Sequence, residues 1–124
     1  MIKYFLLISL FFLASCSKNS TPVTPEISPD QKTKTILALG DSLTAGYGLS
    51  TTDSYPSQLE IKLWEKGYTY KIVNAGISGD TTAGLLSRLD WVLDWDAPSF
   101  VILCIGANDA FQGKDTDEIE KNLR

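Results

Sequence analysis

Histidine is absent from this sequence of 124 residues. The imidazole of histidine is the side chain that most often serves as a general base near neutral pH, so this sequence does not supply the usual general base. Cysteine is also scarce: only Cys16 and Cys104 are present, and they do not support a disulfide framework. Cys104 lies in an apolar run and is expected to be a buried core thiol. Without histidine a metal site is poorly supported, and we expect no metal and no cofactor.

Basic residues are also fewer than acidic residues. Lysine and arginine number 11 against 15 aspartates and glutamates, which gives a formal net charge of -4 at pH 7. A mildly acidic chain argues against nucleic acid as a partner. The motif Gly-x-x-x-x-Gly-Lys-Ser/Thr is absent, and residues 46–48 lack the third glycine of a dinucleotide fingerprint, so nucleotide binding is not expected. Hydrophobic residues make up 44%, which is ordinary for one globular domain.

Residues 1–15 have one charged side chain, Lys3, followed by an apolar run over residues 4–13 that only Ser9 interrupts. This run of roughly ten residues is too short to span a bilayer, which needs about 20, but it is typical of a signal peptide. The small residues before Cys16 resemble the bacterial lipobox, in which the cysteine thiol receives diacylglycerol. The sequence thus predicts an exported lipoprotein, anchored in a membrane through Cys16 and facing the periplasm or the cell surface. The alternative is an ordinary cleaved signal with an incidental cysteine.

Residues 16–34 are predicted to be a flexible tether, because they are rich in Ser, Thr, Pro and Lys and have hardly any apolar residues. From residue 35 onward, short apolar runs alternate with amphipathic stretches, which indicates a parallel sheet whose strands are joined by helices. We therefore predict an α/β domain over residues 35–124. Its predicted strands are residues 35–39, 70–73 and 100–105. The first predicted helix is residues 54–66, with Pro56 in its first turn and Gly67 at its end. Asp80 could cap a second helix that runs to about residue 93, with Leu85 and Val92 on one side, and a third is predicted over residues 115–124.

The last predicted helix, over residues 115–124, has no terminating signal. Three strands with the helices between them would also leave one edge of the sheet unpaired and apolar faces uncovered. We therefore expect this chain to hold the N-terminal part of its domain, with the C-terminal part missing.

Three polar motifs follow the three predicted strands, at residues 40–48, 74–80 and 106–109. The carboxyl ends of parallel strands meet at one edge of a sheet, and ligands of open α/β proteins bind at that edge. The three motifs are therefore expected to converge on one site. A purely structural interpretation also exists for each, since Gly, Asp and Ser favour strand-to-helix turns.

The residue types in these motifs suit acyl transfer, which needs a hydroxyl nucleophile beside a base and hydrogen-bond donors around the developing oxyanion. Ser42 provides a hydroxyl. Its backbone N–H, the backbone N–H of Gly79 and the side-chain amide of Asn108 provide three candidate donors. Thr44 stands where the nucleophile elbow Gly-x-Ser-x-Gly has its second glycine, so the α/β-hydrolase pattern is not matched.

Together the motifs resemble the SGNH, or GDSL, hydrolase superfamily, close to its bacterial thioesterase, arylesterase and lysophospholipase branch. Three blocks match in order: Gly40-Asp41-Ser42-Leu43, Ser78-Gly79-Asp80 and Gly106-Ala107-Asn108-Asp109. The resemblance implies a flavodoxin-like three-layer α/β/α fold and hydrolysis of a small carboxylic ester or thioester through an acyl-serine intermediate. It implies that Ser42 is the nucleophile and that Gly79 and Asn108 contribute to the oxyanion hole.

The family's fourth block, an Asp-x-x-His that supplies the base, has no match in this sequence. The resemblance therefore implies a serine esterase in full-length form and a nearly inactive chain as it stands. The alternative is a catalytically inactive surface lipoprotein that binds acyl or glycan ligands through the same loops. The sequence predicts no particular oligomeric state.

The remaining polar and aromatic residues of interest are interpreted structurally. We expect Asp41, Asp80 and Asp109 to support the loops rather than to catalyse. Trp91 and Trp95 lie one helical turn apart and are interpreted as packing residues, in the core or on the surface, with an acyl groove as the alternative.

Overall fold

The fold is built on three parallel strands. The computed structural model describes residues 33–95 and 97–124. Its strands are β1 (Lys34–Gly40), β2 (Tyr70–Gly76) and β3 (Phe100–Cys104), and they lie in the order β2-β1-β3. The central strand β1 is buried over its last five residues, which explains why its sequence is a nearly continuous apolar run. Parallel strands require long crossover connections, which the helices supply.

Helices cover both faces of the sheet and give a three-layer α/β/α arrangement. Alternate side chains of β1 point to opposite faces, so Leu37 packs on one helical layer while Ile36 shares a cavity with Leu63 of the other. This arrangement confirms the predicted α/β class. The helices are α1 (Ser42–Ala45), a short 3₁₀ turn (Thr51–Asp53), α2 (Tyr55–Glu65), α3 (Thr82–Trp95), α4 (Ala107–Phe111) and α5 (Thr116–Leu123).

The main core lies between β1 and α3. Leu37 and Leu39 form a buried cluster with Leu85 and Val92, and partly buried residues of β2 and α3 pack against it. Apolar residues at helical spacing therefore do line one side of α3, as the sequence predicts. Helix α5 packs beside α3 on the same face of the sheet.

The ends of α2 are confirmed to within one residue. Ser54 is the residue before the helix and Pro56 lies in its first turn. The chain leaves the helix through Gly67, which has φ 81° and donates its N–H to the carbonyl of Trp64 at 2.9 Å. The positive φ explains why a glycine terminates this helix.

Two other predicted boundaries are wrong. Strand β2 continues to Gly76, three residues beyond its predicted end, because it stays in register with β1 as far as Gly40. The cap of α3 is Thr81 rather than Asp80, the residue before it: the Thr81 hydroxyl accepts a hydrogen bond from the N–H of Gly84 at 3.2 Å, and the helix begins at Thr82. The Asp80 carboxylate accepts a hydrogen bond from Arg88 instead.

The predicted signal peptide over residues 1–15, the lipidation site Cys16 and nearly all of the predicted tether lie outside the described residues. The predicted end of the tether is wrong by one residue, since Lys34 is the first residue of β1.

Cys104, expected to be a buried core thiol, is only half-buried. In the part of the chain that the structure describes, the helices are all too short or too polar to cross a membrane.

Candidate active site

The first loop presents Ser42 at the start of a helix. Asp41 is the N-cap of α1, and its carboxylate accepts a hydrogen bond from the N–H of Leu43 at 2.9 Å. Asp41 is fully buried and Ser42 is half-buried. Within the described residues, neither the hydroxyl nor the backbone N–H of Ser42 forms a hydrogen bond. Both groups are therefore available to a ligand.

The second loop is tied to the first at two points. The N–H of Ile77 donates to the carbonyl at the end of β1 at 3.0 Å, and the side-chain amide of Asn74 donates to the carbonyl of Thr44 at 2.8 Å. Gly76 lies directly against α1, because a Cβ atom at this position would be 2.3 Å from the backbone nitrogen of Ala45. Only a glycine lets β2 approach α1 so closely.

Gly79 lies in the turn of this second loop. Its φ is 85° and it is exposed, and the turn is closed by a hydrogen bond of 3.1 Å from the N–H of Asp80 to the carbonyl of Ile77. A positive φ of this kind favours glycine. The N–H of Gly79 has no hydrogen-bond partner anywhere in residues 33–95 and 97–124. It is a second open donor at this edge of the sheet.

Asn108 connects the third loop to the second. It is the second residue of α4, it is half-buried, and its side-chain NH₂ donates to the carbonyl of Asp80 at 2.8 Å. A side-chain amide carries two N–H donors, and this bond uses one of them. The other has no partner among the described residues, so Asn108 is held in place while it retains a free donor.

Asp109 fixes the third loop to the start of α3. Its buried carboxylate accepts hydrogen bonds from the N–H of Thr82 at 2.9 Å and from the Thr82 hydroxyl at 2.6 Å. Asn122 of α5 donates to the same hydroxyl at 3.0 Å. Burial raises the pKa of Asp109, but the hydrogen bonds from Thr82 and the charge of Lys114 outweigh burial and lower the pKa below its ordinary value of 3.8.

Arg88 also belongs to this site, although it lies outside the three sequence motifs. Its Nε and Nη2 atoms both donate to the carboxylate of Asp80, at 2.9 and 2.8 Å, and Nη2 lies 3.4 Å from the carbonyl oxygen of Gly40. One signal was present in the sequence. Arg88 comes three residues after Leu85 and four before Val92, and therefore lies on the buried face of α3, where an arginine needs a charged or polar partner.

The three loops therefore form one hydrogen-bonded edge that carries Ser42, Gly79 and Asn108. In the order β2-β1-β3 the chain passes from β1 to β2 on one side and then crosses β1 to reach β3 on the other, so the topological switch point lies at the carboxyl ends of β1 and β3. Ser42 lies two residues beyond the end of β1. The described residues contain no cluster of His, Cys, Asp and Glu that could hold a metal ion. The catalytic roles assigned to the three residues stay predictions.

A cavity of about 680 Å³ adjoins this edge, between β2 and α3. It extends along β2 from Lys71 to Gly76 and on to Ile77 in the second loop, and it is bordered on the helix side by Arg88 and Trp91. Trp91 is 67% exposed, so it is a surface residue at this cavity and not part of the core. The side chain of Trp95 lies outside the described part of the molecule.

A parallel sheet with a serine loop at its switch point, cross-linked by hydrogen bonds to two further loops, is the arrangement of a flavodoxin-like α/β protein. The chain belongs to the GDSL-like lipase/acylhydrolase family, whose sequence profile matches residues 38–124. This membership confirms the resemblance to SGNH, or GDSL, hydrolases.

Similar proteins agree on the family. The chain is 40% identical over 90 residues to an esterase, TesA, of Pseudomonas aeruginosa, covering 73% of this chain and 45% of that protein. It is 42% identical over 93 residues to an arylesterase of Vibrio mimicus, covering 75% of this chain and 46% of the relative. The crystal structure of AlinE4, an SGNH-hydrolase family esterase, matches with a TM-score of 0.71 and 45% identity, over 75% of this chain and 50% of that one. The chain thus spans about half the length of the relatives it matches.

Proposed function

We propose that the protein is a serine esterase that hydrolyses carboxylic esters or thioesters through an acyl-serine intermediate. Ser42 is the nucleophile, and the oxyanion is bound by the backbone N–H groups of Ser42 and Gly79 and by the side-chain amide of Asn108. The observation that supports this assignment best is that all three residues have donors with no partner among the described residues, on loops that are hydrogen-bonded to one another. The names of the relatives, an esterase and an arylesterase, support the reaction class.

The proposed reaction has two steps. The Ser42 oxygen attacks the acyl carbon and its proton passes to a base, while the carbonyl oxygen becomes an oxyanion held by the donors. Expulsion of the alcohol or thiol leaves an acyl-serine, which water then hydrolyses to the free acid. Loss of one oxyanion donor typically costs about 10² to 10³ in rate. Since these 124 residues contain no histidine, an imidazole base has to come from outside this sequence.

We propose that three buried or partly buried aspartates support the loops rather than react. Asp41 accepts a backbone N–H within the first loop. Asp80 pairs with Arg88, and its carbonyl holds the amide of Asn108. Asp109 is occupied by both donors of one threonine. Each carboxylate is already engaged by protein donors, which argues against its acting as the general base.

The missing base suggests a direct test of the nucleophile. With free imidazole added as a diffusible base, the purified chain is expected to be acetylated by p-nitrophenyl acetate on Ser42. Rapid acid quenching, which protonates the imidazole, then leaves the acyl-serine without a base for its hydrolysis and preserves it for detection. Mass spectrometry of the proteolysed protein locates the acetyl group, and p-nitrophenol release measures the rate above that of imidazole alone. Ser42→Ala is expected to lose both signals.

A matched control is Ser99→Ala, because Ser99 is an exposed serine at the opposite end of the sheet. This variant is expected to be acetylated like the wild type. If the folded wild type shows no acetyl group on Ser42 and no rate above imidazole alone, the esterase proposal is wrong. Saturable binding of the ester without acylation would then support the catalytically inactive acyl-binding protein.

We also propose that the protein is exported and anchored in a membrane by diacylglycerol on Cys16, which two acyl chains would hold stably. Metabolic labelling with a fatty acid in the bacterial host is expected to mark the wild type. Cys16→Ala is expected to lose the label, whereas Cys104→Ala, which replaces the only other cysteine, is expected to keep it. Equal labelling of Cys16→Ala and wild type would contradict the anchor.

A further inference from the structure

The position of Arg88 is unusual for an arginine. It lies on α3 between two residues of the buried face, and only 15% of its side chain is exposed. Its partner carboxylate, Asp80, is 9% exposed. A pair this well shielded from water is fixed more firmly than a surface ion pair, because neither charge is solvated on its own. The guanidinium therefore has one defined location in the fold.

That location is the point where the first two loops meet. The carbonyl of Gly40 accepts the N–H of Ile77 at 3.0 Å, and Nη2 of Arg88 lies 3.4 Å from the same oxygen. Gly40 precedes the Asp41–Ser42 pair, and Ile77 precedes the turn that contains Gly79. The planar guanidinium thus bridges the carbonyl at the end of β1 and the carboxylate of Asp80 in the second loop.

The third loop is attached to the same unit through the main chain. Asn108 donates its side-chain amide to the carbonyl of Asp80, whose carboxylate is held by Arg88. A rotation of the Asp80 backbone would therefore move the Asn108 amide and the neighbouring Gly79 N–H together. Fixing Asp80 fixes the direction of two of the three proposed oxyanion donors.

We propose that Arg88 is a positioning residue: through Asp80 and Gly40 it aligns the donors of Gly79 and Asn108 with Ser42. This inference depends on the proposed function for its catalytic meaning. The arrangement of the loops itself is a separate, measurable property. A displacement of a reacting group by about 1 Å can reduce a rate about 10²-fold. We expect a reduction of that order in imidazole-dependent acetylation of Ser42 when Arg88 is replaced by glutamine.

The experiment compares Arg88→Gln and Arg88→Lys with two controls. Arg124→Gln removes an exposed arginine whose ion pair with Glu120 lies at the surface. Val92→Ala weakens the α3 core without touching the ion pair. NMR of the ¹⁵N-labelled chain measures the resonance and order of the Gly79 amide and the shift of the Asn108 side-chain NH₂, at a temperature where each variant is folded.

Arg88→Gln is expected to shift both signals and lower the order of the Gly79 amide. Arg88→Lys is expected to be intermediate, because an ammonium can pair with Asp80 but cannot bridge two acceptors as a planar fork. Both controls are expected to match the wild type. If Arg88→Gln does not fold, Arg88→Lys provides the same comparison.

Unchanged Gly79 and Asn108 signals in a folded Arg88 variant would overturn the inference, whether or not Ser42 is acetylated in that variant. Equal shifts in Val92→Ala would also overturn it, since they would show a general loss of packing. The Arg88 inference and the esterase proposal can therefore be refuted independently of each other. Shifted signals in a chain whose Ser42 is never acetylated would leave Arg88 as the residue that arranges the loops and would refute the esterase.

Discussion

Gly76→Ala is expected to lower the free energy of unfolding by more than about 3 kcal/mol. The added Cβ would lie 2.3 Å from the backbone nitrogen of Ala45 and 2.7 Å from the carbonyl carbon of Thr44. Both are main-chain atoms of α1, so no change of rotamer relieves the contact. Overpacking of a core side chain typically costs about 1–3 kcal/mol, and a clash between two backbones is expected to exceed that range. The variant would have to separate β2 from the helix that carries Ser42.

Gly113→Ala is the matched control for this prediction. Gly113 has φ 64°, and a Cβ atom there would meet nothing within 4 Å, so the substitution tests only the cost of a side chain in a left-handed conformation. That cost is about 1–2 kcal/mol. Urea denaturation followed by circular dichroism measures both variants. A Gly76→Ala protein as stable as Gly113→Ala would contradict the close contact between β2 and α1.

The layers of the fold were predictable because they depend on local patterns. The spacing of Leu85, Val92 and their neighbours identifies α3, and Pro56 and Gly67 limit α2. Such signals reflect the geometry of one element and need no knowledge of the rest of the molecule. The end of β2 was not predictable in this way. Its last residues, Asn74, Ala75 and Gly76, extend as a strand because β1 lies beside them in register.

The candidate site was predictable in its residue types but not in its connections. Ser42, Gly79 and Asn108 follow three strands, and the topology of a parallel sheet brings such positions to one edge. The bonds that hold them are between distant parts of the chain. Arg88 reaches back 48 residues to the carbonyl of Gly40, and the amide of Asn108 reaches back 28 residues to a main-chain oxygen. No local motif encodes a bond to a backbone carbonyl.

Thr44 illustrates the same limit. In the sequence, Thr44 is informative only because it replaces the second glycine of a nucleophile elbow. In the structure it is fully buried, its carbonyl receives the amide of Asn74, and its hydroxyl lies 3.3 Å from that of Tyr55. The side chain of Thr44 thus fills the space beside Gly40 and Gly76, at the ends of β1 and β2, where a larger residue would clash with it. Its role depends on packing among three elements.

Asp109→Asn is expected to lower the free energy of unfolding by about 3 kcal/mol near pH 7. The carboxylate accepts both the N–H and the hydroxyl of Thr82, and hydrogen bonds to a charged acceptor contribute about 1.5–3 kcal/mol each. An amide oxygen replaces only part of this, and its NH₂ group faces a donor. Asp90→Asn, at an exposed position of α3, is the control and is expected to change stability by less than about 0.5 kcal/mol.

The effect of Asp109→Asn is also expected to depend on pH. Folding lowers the pKa of Asp109 below 3.8, so its carboxylate stabilises the fold fully above the pKa of the unfolded chain, near 3.9, and this stabilisation is lost as the pH falls through the lower folded value. The difference in unfolding free energy between wild type and Asp109→Asn should be constant above about pH 5 and shrink below about pH 4. Urea titrations at a series of pH values measure it. A difference that stays constant to about pH 2, or one that Asp90→Asn reproduces, would show that the bonds to Thr82 do not favour the ionised carboxylate.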